Sequence, residues 1–213
     1  MKKKIKLNLG CGDQVPENWI NVDYSLGARL MKFPFFKFIN SKLHLFNLDW
    51  NDNIVLHDLT KTFPWKDQSV DVIYSSHTLE HLTKEEGQHF LMECYRVLKD
   101  NGLLRIVVPD LRKFVESYLN QNMRADDFVH NLGVLYGTQN QNVIKRKLAP
   151  FYQFPHKCMY DTPTLLSIIH DTGFTAMDKA AFDSEIEDIS AIELSSRTEN
   201  AVIIEGIKVP QTF

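Results

Sequence analysis

The sequence predicts an α/β domain built on a mostly parallel, seven-stranded sheet whose C-terminal edge carries an antiparallel strand. Three observations lead there. Strand and helix signals alternate along the chain. The strand candidates are short apolar runs rather than strict alternations, as expected where both sheet faces are covered. Two late β-rich runs, about Thr175 to Phe182 and Ala201 to Val209, suit a hairpin at one edge. A length of 213 residues fits one domain and would cramp two. Residues 1–213 are therefore read as a single unit, with insertions at about 25–52 and 123–160.

The first strand, Ile5 to Leu9, runs directly into Gly10-Cys11-Gly12. Trp19 to Asp23 forms the second and Ile54 to His57 the third. The fourth is Val70 to Tyr74, followed by Ser75-Ser76-His77, and the fifth is Leu103 to Val108, closed by Pro109-Asp110. Between Gly12 and the second strand lie only Asp13 to Asn18, with Pro16 among them. A parallel crossover normally takes ten or more residues, so the first helix is expected to be shortened or absent. Thr83-Lys84-Glu85-Glu86 is a capping box. It opens a helix with an apolar stripe of Phe90, Leu91, Cys94, Val97 and Leu98. That helix is expected to stop at Asp100-Asn101-Gly102, with glycine as the left-handed residue. Asp161-Thr162-Pro163 starts a late helix that Gly173 ends. Asp110 to about Asn120 and Asp126 to Tyr136 are further helix candidates.

Composition narrows the function. The chain is 44% hydrophobic and 24% charged, which excludes disordered and fibrous classes. Its 24 Lys and Arg stand against 27 Asp and Glu, a net charge of −3, so no nucleic-acid partner is expected. No apolar run approaches the roughly 18 residues that span a bilayer. Met1-Lys2-Lys3-Lys4 is followed only by Ile5 to Leu9 before Gly10, too short a stretch for an export signal. Cys11, Cys94 and Cys158 have neither zinc spacing nor a disulfide framework, which points to a reducing cytoplasm.

The chemistry concentrates at the first strand's end. Without Cβ atoms, Gly10 and Gly12 let a ligand lie against the backbone. Asp23 ends the next strand, where an acid in nucleotide-binding α/β domains accepts from ribose hydroxyls. Dinucleotides favour GxGxxG and a helix N-terminus for the pyrophosphate. Here Asp13-Gln14-Val15 follows Gly12, so the third glycine is missing and an acid sits beside the phosphate position. S-adenosylmethionine carries no phosphate and suits the short loop better.

Leu7 to Gly12, with Trp19-Ile20-Asn21-Val22-Asp23, resembles class I S-adenosylmethionine-dependent methyltransferases, and within them a small bacterial type-11-like subgroup. The likeness continues through His57-Asp58-Leu59 and Phe63 to Ile73. It extends over Ser75-Ser76-His77-Thr78-Leu79-Glu80-His81-Leu82, Glu93 to Gly102 and Leu104 to Asp110. The resemblance implies a Rossmann-like sheet with the cofactor along the carboxyl ends of its first four strands. By position, Gly10, Cys11 and Gly12 would line the methionine and ribose side, with Leu9 and Tyr24 as chain neighbours at the cofactor. Asp23 would hold the ribose, Asp58 and Leu59 would flank the adenine, and Ser75 would meet the methionine tail through its backbone. Cys11 is otherwise expected to be a small apolar filler, and Asp58 has an alternative as a turn residue.

A hydroxyl acceptor needs a base. His77, just past the fourth strand, is the first candidate. His81 follows at i+4 and would share a face with it in a helix starting near Ser76. No metal is expected, because Glu80 has the wrong phase for that face and no third ligand is evident. The acceptor is expected to be a small molecule, with a sugar or glycan-precursor hydroxyl suggested by the subgroup. Two rivals remain open: a cofactor-binding module without transfer activity, and an NAD(P)-dependent oxidoreductase. Leu30 to Ile39, then Leu43, Leu45, Phe46, Leu48 and Trp50, read as a packed helix, a lid or an interfacial membrane contact, and the segment could equally serve a homodimer. Tyr136, Tyr152, His156 and Tyr160 could reach the acceptor side, and Lys145-Arg146-Lys147 reads as a solvated face.

Overall fold

A computed structural model of the chain describes residues 3–33, 53–135 and 154–210. Seven strands form one sheet: β1 (Lys6–Leu9), β2 (Ile20–Asp23), β3 (Val55–Leu56), β4 (Val70–Ser76), β5 (Leu98–Pro109), β6 (Phe174–Asp178) and β7 (Ala201–Lys208). Their order across the sheet is β3-β2-β1-β4-β5-β7-β6. β1 to β5 run parallel, and β7 is antiparallel to both β5 and β6. The direction of winding reverses between β1 and β4, which opens a crevice at their carboxyl ends. The expected fold class is the observed one. No described helix is long and apolar enough to cross a membrane.

The link from β1 to β2 contains no helix, as its length demanded. Two turns replace it, with Gln14 N–H donating to Cys11 O (3.0 Å) and Trp19 N–H to Pro16 O (3.2 Å). A buried asparagine pair holds them against the sheet. Asn8 and Asn21 face each other across the β1–β2 register. Asn8 Nδ2 donates to Asn21 Oδ1 and to Gln14 O, both at 3.0 Å, and Asn21 Nδ2 donates to the Pro16 and Trp19 carbonyls at 3.1 Å. Amides buried without such partners would each cost about 1–3 kcal/mol.

The helices are α1 (Leu26–Met31), α2 (Lys84–Val97), α3 (Leu111–Leu119), α4 (Ala125–Asn131), α5 (Thr162–Asp171) and α6 (Ser195–Thr198). The capping box of α2 is complete, with Thr83 N–H donating to Glu86 Oε2 (2.8 Å) and Glu86 N–H to Thr83 Oγ1 (3.2 Å). Its end differs from expectation. α2 stops at Val97, and Leu98 already pairs with Val70 in the sheet. Its last carbonyls are satisfied from outside: Gln68 and Ser69 N–H donate to Arg96 and Val97 O, and Lys208 Nζ donates to Tyr95 O and Leu98 O. A cation there also suits the helix dipole. Asn101, at φ 62°, takes the left-handed turn instead of Gly102. β6 ends at Asp178, shorter than the run to Phe182. Asp161 caps α5, and Gly173 follows its end at φ 108°, as expected. α4 covers part of the Asp126 to Tyr136 candidate; Tyr136 lies outside the described residues, as do Tyr152, residues 145–147 and the aromatic segment from Pro34 to Trp50.

Two apolar clusters cover the sheet's faces. Ile73 and Ile106 point into the larger one with Phe90, Leu91 and Cys94 of α2. Their neighbours Tyr74 and Val107 point the other way, to Trp19, Ile189 and Ile192. On this second face lies a fully buried ion group. Arg105 sits opposite Glu205 in the β5–β7 register. It donates to Glu193 through Nε and Nη2, both at 2.9 Å, to Glu205 at 3.1 Å, and to the Ala180 and Asp183 carbonyls. The carboxylates also accept from Phe182 N–H, Glu185 N–H and the Ser184 hydroxyl, so the loop from β6 to α6 is held to the sheet by charge-assisted bonds. Arg105→Met strands two buried carboxylates. We expect it to lower stability by about 3–5 kcal/mol, seen as a lower urea midpoint.

Candidate active site

A cavity of about 590 Å³ opens at the carboxyl ends of β1 to β4, lined on one side by Gly10, Gly12, Asp23, Tyr24 and Asp58. Gly10 and Cys11 N–H both donate to Val22 O, which folds the chain sharply over β2 (2.9 and 3.0 Å). The two glycines serve different needs. Gly10 has φ +74°, and a Cβ there would stand 2.0 Å from Thr78 Oγ1, so it is required by packing. Gly12 has φ +56°, and a Cβ there would meet nothing within 4 Å. It borders open space.

Asp23 spans the loop and the next helix: Oδ2 accepts from Gly12 N–H (2.9 Å) and Oδ1 from Ser25 N–H (2.7 Å). Each oxygen keeps a second lone pair. Ser25 then caps α1, whose first residues, Leu26 and Gly27, form the adjoining wall. Tyr24 is exposed, with the Arg29 guanidinium 4.8 Å from its ring centre. Asp58 Oδ1 accepts from both Thr60 N–H (3.0 Å) and Thr60 Oγ1 (2.8 Å), so the residue does form a turn while still lining the cavity. Partial burial opposes its charge, but the Thr60 bonds and nearby Lys61 prevail and hold the carboxyl below its ordinary range. Leu59 adds an apolar surface.

Leu9, Cys11 and Ser75 do not line the cavity. All three are buried, and Ser75 Oγ donates to Leu9 O at 3.0 Å. Burial, then the Asp23 charge, push the Cys11 thiol up to about 12.

The opposite wall carries His77, Thr78, His81, Leu82, Phe154, Lys157 and Arg197. β4 runs two residues further than expected, which delivers His77 to the rim. His77 is left-handed (φ 52°) and its N–H bonds Val107 O. Its Nε2 must carry hydrogen, because the partner at 2.8 Å is the Arg197 carbonyl. Nδ1 faces Glu80 Oε1 at 3.5 Å. Burial holds the His77 ring below the usual imidazole range.

The expected helix from Ser76 does not form. A 3₁₀ turn, Leu79–His81, replaces it, so His77 and His81 share the cavity but not a helix face. The tighter turn also buries Glu80 completely and aims it with His81 at His156, which arrives from the second insertion. The phase argument against Glu80 therefore fails, as does the expectation that no third potential ligand exists. Burial pushes the Glu80 carboxyl up to about 8. Burial and neighbouring His156 push His81 down to about 4, and the two rings lie edge to face at 4.9 Å. Lys157 and Cys158 N–H donate to Glu80 O (2.7 and 3.1 Å), tying this segment to the turn. Phe154, Lys157 and Arg197 carried no motif that would have singled them out.

Residues 7–106 match the family model described as a methyltransferase domain. No curated protein matches the chain. Among solved structures, an S-adenosylmethionine-dependent methyltransferase of Methanosarcina mazei is similar at 11% identity with a TM-score of 0.56, over 99% of this chain and 95% of that one. One from Archaeoglobus fulgidus is similar at 18% identity and TM-score 0.50, over 97% of this chain and 87% of that one. The YcgJ protein of Bacillus subtilis is similar at 14% identity and TM-score 0.52, over 98% and 94%. Each of these likenesses is one of fold. Residues 7–106 match a methyltransferase domain, and the sheet order and crevice are those of the class I methyltransferase fold. Together they support an S-adenosylmethionine-dependent methyltransferase with S-adenosylmethionine as its cofactor.

The buried thiols give a direct check on this geometry. At pH 8 a thiol near 12 is ionised to about one part in ten thousand, and the thiolate is the reactive form. Iodoacetamide should label half-buried Cys158 in the native protein and leave Cys11 and Cys94 unmodified until denaturant is added. Peptide mass spectrometry reads the order, and rapid native labelling of Cys11 would contradict it.

Proposed function

We propose that the cavity's glycine-loop side holds the cofactor and its histidine side a small hydroxylated acceptor, a sugar or glycan precursor. The observation that carries the first half is Gly12: a left-handed residue with open space where a side chain would stand, beside a carboxylate with free lone pairs. That is a cradle for a sugar-bearing ligand. Asp23 accepts from ribose hydroxyls, and Asp58, kept ionised, offers Oδ2 to the adenine amine. Leu59 packs on the base. When bound, the cofactor supplies an activated methyl group.

The chain's own residues then orient the acceptor and exclude water, effects that can supply several kcal/mol. Phe154 offers an apolar face, and Lys157 and Arg197 offer donors, a combination suited to a polyhydroxylated ring. His77 receives the hydroxyl proton. Burial keeps it neutral at physiological pH, and with Nε2–H committed to Arg197 O, its basic atom is Nδ1.

Calorimetry with S-adenosylhomocysteine tests the cofactor side. Gly12→Ala should weaken binding at least about tenfold, because the methyl group enters the cradle, while the left-handed backbone costs only about 1–2 kcal/mol of stability. Asp23→Asn should weaken it by roughly 1–3 kcal/mol. Undiminished affinity in both variants, or tight NAD binding in place of the homocysteine nucleoside, would overturn the assignment. Release of S-adenosylhomocysteine across a panel of saccharides and amines tests the acceptor. Turnover confined to amines would reject the hydroxyl.

A further inference from the structure

We propose that Glu80, His81 and His156 form a binding site for one divalent transition-metal ion of the zinc class, at the acceptor end of the cavity. This goes beyond the transferase reading and does not depend on it.

The three side chains offer ligand atoms that all lie within 4.8 Å of one another, and no other such trio occurs among the described residues. Two of them are polar groups stranded in the interior. Glu80 is 0% exposed, and neither carboxylate oxygen accepts a hydrogen bond from a described residue. His77 Nδ1 stands at 3.5 Å from Oε1, too far for a good bond, and Arg197 acts on the carboxyl only through its charge. His81 Nδ1 is likewise buried and unpartnered. Leaving such groups unmet is costly, and native interiors seldom do so. A cation between them satisfies both at once.

The third ligand is oriented as metal-bound imidazoles are. His156 Nδ1 lies 2.7 Å from Leu132 O, so it donates and leaves Nε2 for the ion. The ring rests on Gly133, where a Cβ would stand 2.9 Å from Nδ1, and His156 N–H bonds Gly133 O at 2.9 Å. The bonds from Lys157 and Cys158 N–H to Glu80 O fix the two segments together. Tetrahedral zinc with bonds of about 2.0–2.2 Å sets its ligands roughly 3.3 Å apart. Closure from the present spacing takes at most about 1.5 Å per ligand pair, within reach of side-chain rotation. Two imidazoles and one carboxylate form a three-ligand set that keeps one coordination position for an incoming group. Because His81 lines the cavity, that position is available to an acceptor oxygen.

The test uses the full chain, stripped with chelator and titrated with Zn²⁺ alone, then with Co²⁺ as a visible reporter. One equivalent should bind, and cobalt should show the absorption of a low-coordinate nitrogen and oxygen site. His156→Ala, at a half-buried position, and the isosteric Glu80→Gln should each weaken zinc binding on the order of 100-fold or more, since even outer partners of ligands cost 10–100-fold. His130→Ala, exposed on α4, should leave it unchanged. Circular dichroism checks that the variants fold, and X-ray absorption of the zinc-loaded wild type should show nitrogen and oxygen without sulfur. No binding beyond that of the variants, undiminished binding in both, or sulfur in the shell overturns the proposal. A chain that binds S-adenosylhomocysteine but no zinc would refute this site and leave the transferase reading standing.

Discussion

The glycine-loop half of the cavity depends on one carboxylate. Asp23 receives the Gly12 amide on one oxygen and the Ser25 amide on the other, joining the tip of β1 to the start of α1. In most doubly wound domains, a full helix after β1 would hold the glycine loop in place. Here that helix is missing, and six residues cannot supply one. Its structural work passes to side chains: the Asn8–Asn21 pair below the loop and Asp23 above it. Two consequences follow. The loop has no strong anion hole of the helix-terminus type, which favours a cofactor without phosphate. And Asp23 is scaffold first; in the function proposed above it is a ligand group as well, so its substitution is read together with that of Gly12.

The order of strands was legible because the periodicity was strong and both faces of the sheet needed apolar cover. The boundaries that misled did so where partners distant in sequence decided them. Asp100-Asn101-Gly102 looks like a helix stop, yet Leu98 gains a sheet position, and Lys208, more than a hundred residues on, satisfies the α2 carbonyls. Nothing local announces that. The buried role of Arg105 was equally hidden, since only the β5–β7 register sets it against Glu205.

At the site, glycine spacing and strand-end acids singled out Gly12, Asp23 and Asp58, and all three line the cavity. The same motif reasoning also named Leu9, Cys11 and Ser75, whose side chains are buried off the cavity, since a motif does not say which side chains turn inward. On the histidine side the expected helix did not form. An i, i+4 argument presumes an α-helix, whereas the chain makes a 3₁₀ turn, with fewer residues per turn and a different face. Glu80 looked misplaced only under the wrong helix. His156 could be noticed as an aromatic of the second insertion, but its meeting with Glu80 and His81 is purely tertiary.

The two sets of buried acids make the sharpest contrast in the molecule. Glu193 and Glu205 lie in the interior with every oxygen engaged by Arg105, backbone amides or a serine hydroxyl. Such a network serves the fold and asks for nothing more. Glu80 is buried as deeply and has no such bond among the described residues. Folding alone would favour replacing it with an apolar residue of similar volume, because an isolated buried carboxyl destabilises the native state. The fold nevertheless goes to some length to keep it there, with a 3₁₀ turn and two amides from residues 157 and 158 holding its backbone. A protein that satisfies one set of buried acids fully and leaves another bare, beside His81 on the wall of the strand-end crevice, places the bare one where an incoming cation completes it.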